Sequence, residues 1–160
     1  MSTTPLCPCW PDREPGPEAG RLRRREPARA RSVTRLRRAL REWLEDVDVD
    51  EDTAASILLA VGEAVSNAAE HACPERDCVV ELLAGPRVCG PGVAVMVTDD
   101  GAWRPPPADP GWRGRGMQLM DRLARRATVE STGEGTTVRL CWPGPGVGPE
   151  DRAADAGAGS

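Results

Sequence analysis

The 160-residue sequence contains no lysine, no phenylalanine and no tyrosine, and it has a single histidine. The missing lysine excludes two ways of handling a nucleotide. A P-loop needs a lysine at the β- and γ-phosphates, and an ordinary protein-kinase fold needs one on a strand. No stretch approaches the roughly 20 apolar residues needed to cross a bilayer. Residues 1–10 lack the basic region and apolar run of a signal peptide. These absences lead to an expectation of a cytoplasmic protein with no membrane contact, whose six cysteines are reduced thiols.

What is present is arginine, 21 residues of it, with a formal net charge of −4. A net negative chain is not built mainly to grip nucleic acid. The charge is uneven, with arginines crowding residues 21–41 and acids crowding 42–52. Such an arm suits an acidic partner, although a solvated helix face is the simpler reading. The length fits one domain that needs no staples.

Proline crowds residues 1–19, and residues 143–160 are rich in glycine, proline and alanine. Both read as disordered tails around a folded domain at 20–142. Within it, residues 20–26 read as a short edge strand. Val33, Leu36, Leu40, Trp43 and Leu44 recur at helical spacing over 28–46. A second helix follows the acidic start at 50–53 and runs to about residue 72, with Pro74 beyond it. Strands are predicted at 78–84 and 93–98, a third helix at 116–126, and further strands at 127–131 and 136–142. Helices on one face of a mixed, mostly antiparallel sheet make a two-layer α+β sandwich.

Three features carry chemistry. Glu63, Asn67 and His71 recur every fourth residue and so share one polar stripe on an otherwise apolar helix. Such a stripe faces water or a ligand, because burying it unpaired is costly. The strand at 93–98 ends in Asp99-Asp100-Gly101, a tight turn whose aspartate can accept from an exocyclic amine. Gly114-Arg115-Gly116 opens the third helix, where free backbone N–H groups favour an anion and Arg113 and Arg115 add positive charge. Gly133-Glu134-Gly135 joins the last two strands. His71, Cys73 and Cys78 form a conceivable zinc set that lacks the usual spacing.

Taken in this order, Glu63-Ala-Val-Ser-Asn67-Ala-Ala-Glu-His71, Asp99-Asp100-Gly101, Gly114-Arg115-Gly116-Met117 and Gly135-Thr136-Thr137 resemble the signature boxes of the GHKL (histidine-kinase-like, Bergerat-fold) ATPases. Within that superfamily the chain resembles the bacterial anti-sigma factor serine kinases, over about residues 20–142. The resemblance implies the following roles. Asn67 holds a Mg²⁺ ion that bridges the phosphates of ATP. Glu63 is the general base, and His71 lines the phosphate side. Asp99 takes the adenine amine and Gly101 allows close approach. The loop from Gly111 through Arg113, Gly114, Arg115 and Gly116 to Met117 is the lid over the phosphates. Thr136 or Thr137 supports adenine, and Asp100 is a neighbour. Trp103 stands where many relatives have a second glycine.

The partners implied are a sigma factor and an anti-anti-sigma (STAS-type) protein phosphorylated on serine, with the kinase a homodimer making no direct nucleic-acid contact. A non-catalytic, nucleotide-gated partner switch would use the same pocket. A detached sensor-kinase catalytic domain is a further alternative, although no phospho-accepting histidine precedes the domain.

Overall fold

Four side chains spaced four residues apart, Ser32, Leu36, Leu40 and Leu44, are buried on one face of helix α1 (Ala30–Glu45) in the computed structural model. The structure describes residues 20–71, 77–87, 90–101 and 113–145. The tails at 1–19 and 146–160, Cys73 and Trp103 lie outside them. Helix α2 (Glu51–His71) begins where the sequence placed its acidic start. The Asp50 carboxylate accepts from the Thr53 N–H and the Thr53 hydroxyl, both at 2.8 Å. Those bonds cap the helix and hold the Asp50 carboxyl below its usual range. Ile57, Ala60, Val61, Ala64, Val65 and Ala68 form its buried face.

The strands are β1 (Leu22–Pro27), β2 (Val79–Pro86), β3 (Gly92–Asp99), β4 (Arg126–Thr132) and β5 (Gly135–Pro143), and helix α3 (Arg113–Leu123) joins β3 to β4. The sheet order is β1-β2-β3-β5-β4. Every pairing is antiparallel, so the sheet expected to be mixed contains no parallel step among the described residues. Val80, Leu82, Val93, Val95, Val97, Val138, Leu140 and Trp142 project from β2, β3 and β5 into one core with the helices. The result is the two-layer α+β sandwich expected from the sequence.

Two expectations are corrected. Helix α3 starts at Arg113, three residues before the predicted Gly116, and ends at Leu123. Glycine disfavours helix interiors, but in a first turn, where the N–H groups are unpaired, the penalty is small, so Gly114 is tolerated inside the helix. Secondly, Cys78 is disulfide-bonded, while Cys141 is a buried thiol. The thiol reading rested on compartment alone, which does not depend on whether two particular cysteines are near each other. Strand β5 runs from Gly135 to Pro143, one residue beyond each end of the predicted 136–142. Among the described residues no helix is long and apolar enough to cross a membrane.

Candidate functional site

Helix α2 packs on α1, α3 and the sheet, and this leaves one part of its circumference half-buried. Glu63 and Asn67 occupy that part, one turn apart. Opposite them is Gly116, in the first turns of α3. A Cβ built on Gly116 would stand 3.2 Å from Glu63 Oε2 and 3.5 Å from Asn67 Nδ2. Both polar side chains therefore reach the backbone of α3 at a position that carries no side chain. The start of a helix is electropositive and its leading N–H groups have no intrahelical acceptor. A carboxylate, an amide and a helix N-terminus thus converge at one place.

The second half of the site is at the end of β3. Asp99 is buried to 8 % exposure, which is unusual for an acid, and its neighbour Gly101 is buried as well. Burial pushes the Asp99 carboxyl above its usual value of 3.8, and the negative charge of Asp100 adds to the rise. Donation from the Gly101 and Thr136 backbone N–H groups works against it. The Gly101 N–H lies 3.0 Å from Asp99 Oδ1. A carboxylate has about four acceptor positions, so these two bonds leave capacity for another donor. Asp100 is exposed, and its Oδ1 accepts from the Val79 N–H at 2.8 Å. It therefore secures the start of β2.

Strand β5 completes this half. Asp99 pairs with Thr136, and Val97 with Val138 on the core side. Side chains alternate along a strand, so Thr136 shares the face of Asp99 and Thr137 projects to the other. Of the two threonines singled out, only Thr136 stands beside Asp99. Its hydroxyl is 3.2 Å from that of Ser131. The role of Gly135 was not visible in the sequence, where it was read only as part of a turn and of a motif. Its φ of +144° and a would-be Cβ 1.9 Å from the Asp99 carbonyl oxygen show that no other residue fits there. The only sequence signal was a glycine directly after a hairpin turn.

Val80 pairs with Asp99, and a short connection joins the end of α2 to Val79. The polar end of α2 and the Asp99 turn thus lie at the same end of the sandwich. Met117, beside Gly116, is exposed. The side chains of His71, Arg113 and Arg115, and the residues from 102 to 112, lie outside the described set. Gly114 is described only as backbone within α3. Among the described residues no cluster of three or more His, Cys, Asp and Glu is placed to hold a metal.

A family model described as the histidine kinase-like ATPase domain matches residues 26–142. Blue-light-activated histidine kinase 2 of Erythrobacter litoralis is 34 % identical over 106 residues, covering 62 % of this chain and 30 % of that protein. The solved RsbU and RsbW domains of Rv1364c from Mycobacterium tuberculosis share the fold, with a TM-score of 0.61 at 23 % identity, covering 77 % of this chain and 31 % of that one. The histidine kinase domain of the Erythrobacter litoralis EL346 blue-light activated histidine kinase gives a TM-score of 0.51 at 26 % identity, over 68 % and 64 % of the two chains. The chain spans less than a third of the first two of these proteins.

Proposed function

Because the chain belongs to the family of histidine kinase-like ATPase domains, we propose that it is a cytoplasmic regulator that binds ATP with Mg²⁺ and phosphorylates an anti-anti-sigma (STAS-type) protein on serine. The sigma factor is its other partner, and it works as a homodimer. The single observation that carries this reading is the meeting of Glu63 and Asn67 with Gly116 at the start of α3.

The residues suit the ligand. Gly116 is a cradle that a Cβ would fill, and the first turn of α3 offers N–H groups to phosphate. The side-chain oxygen of Asn67 is a hard donor of the kind Mg²⁺ takes. When bound, that ion offsets phosphate charge. Arg113 and Arg115 supply further positive charge where a lysine is missing from the chain. His71 lines the phosphate side, and Met117 belongs to the lid. Asp99 accepts the adenine amine, Gly101 allows the base to approach the backbone, and Thr136 supports it. Glu63 takes the proton of the serine hydroxyl as that oxygen bonds to the γ-phosphorus and the bond to ADP breaks.

Two relations support the reading. The sequence boxes resemble those of the anti-sigma serine kinases, and a structural neighbour contains an RsbW domain. The test is transfer of labelled phosphate from Mg-ATP to candidate anti-anti-sigma proteins, run beside direct ATP binding. Binding with transfer to serine supports the kinase. Binding without transfer to any candidate replaces it with a nucleotide-gated partner switch. Absence of binding overturns the whole assignment.

A further inference from the structure

The carbonyl of Leu123 is the last of α3, where helix carbonyls lack intrahelical donors. Here it accepts two side-chain bonds from two different layers. The Ser56 hydroxyl of α2 donates at 3.0 Å, and the Trp142 indole N–H of β5 donates at 2.8 Å. The same indole nitrogen lies 3.3 Å from Ser56 Oγ, so the three groups form a closed triangle. Trp142 is 3 % exposed. The next residues continue the attachment, with the Arg125 N–H donating to the Cys141 carbonyl of β5 at 2.9 Å.

Ser56 and Glu63 are seven residues apart, two turns along one face of α2. Gly116 and Leu123 are also seven apart on α3. Since Ser56 meets Leu123 and Glu63 meets Gly116, the two helices run antiparallel and touch at both ends of an equal interval. Fixing one contact therefore sets the other. We propose that Ser56 and Trp142 are positioning residues, a clamp on the far end of α3 that sets the distance between its first turn and the Glu63–Asn67 pair. The inference rests on the nucleotide reading above, since it gives the clamp control of the phosphate end of the ligand and no influence on the adenine end at Asp99.

The test uses the full chain and the variants Ser56→Ala, Ser56→Thr and Trp142→Phe, with thermal melting to confirm that each is folded. Affinities for Mg-ATP and for adenosine are measured by competition against a fluorescent ATP analogue. Ser56→Ala should weaken Mg-ATP about fivefold, the worth of one hydrogen bond, and leave adenosine unchanged. Ser56→Thr, which keeps the hydroxyl, should restore Mg-ATP affinity. Trp142→Phe, which keeps a ring and loses the N–H, should behave like Ser56→Ala. Equal losses for both ligands would reduce the clamp to a general structural contact, and no loss for either would remove it; both results overturn the proposal while the nucleotide site stands. A wild-type protein that binds neither ligand overturns the nucleotide reading, and the clamp with it.

Discussion

Gly116 links the two helices of the site, and it lets binding be separated from folding. At the start of α3 alanine is at worst a neutral replacement for glycine in helix propensity. Its Cβ, however, would stand 3.2 Å from Glu63 Oε2. Gly116→Ala should therefore leave the melting temperature unchanged or higher while weakening Mg-ATP binding about tenfold, the cost of displacing a polar partner. Unchanged affinity by calorimetry would detach Gly116 from the site. Glu63→Ala should retain ATP binding and lose phosphotransfer by roughly 10²–10⁴-fold, the usual contribution of a general base. Full residual transfer would remove Glu63 from that role. At Asp99 the sign follows from linkage. The folded protein holds this proton more tightly than the unfolded chain, so the residue favours folding below 3.8, and the advantage is lost as pH rises through the folded value. In urea titrations, the stability of wild type relative to Asp99→Asn should fall over that interval and level off above it. A difference that grows with pH would show the shift to be of the opposite sign.

At the scale of elements, the start of β5 is the tightest point. Gly135 has a positive φ and lies against the Asp99 carbonyl, which is fixed in the β3–β5 ladder and cannot move aside cheaply. The backbone conformation alone costs a non-glycine residue about 1–3 kcal/mol, before any clash. Gly135→Ala should lose at least that much stability in urea unfolding and weaken adenosine binding as well; a neutral result would contradict the geometry. The helices were the most legible elements. Leu36, Leu40 and Leu44 repeat at helical spacing, and Asp50 with Thr53 marks where α2 begins. The start of α3 was placed three residues late, at Gly116, because a pair of glycines marks a helix opening without saying how much of it lies inside the first turn. The choice between Thr136 and Thr137 was not open to sequence reasoning. Alternation puts them on opposite faces, but only the pairing with Asp99 says which face is which.

For the whole molecule, the polar stripe of α2 and the Asp99 turn could be read from sequence because each is local. Their placement at one end of the sandwich could not, since it depends on which strands pair. No pattern within β5 announces that it lies between β3 and β4. Likewise, nothing near Ser56 signals Trp142, which is 86 residues away. If the pieces form one nucleotide site, the ligand should stabilise the entire fold. Mg-ATP at about 100 times its Kd should add about 2.7 kcal/mol and raise the melting temperature. A melting temperature indifferent to ATP would contradict the site. The sheet order also bears on how the chain is made. Strand β5 is synthesised after the other four strands, yet its place is between β3 and β4. Until it emerges, the apolar run at 93–97 has one open edge, and Asp99 lacks the N–H of Thr136. A chain truncated before residue 135 would expose a strand edge inviting aggregation, so premature termination should yield material for proteolysis and no partly active regulator.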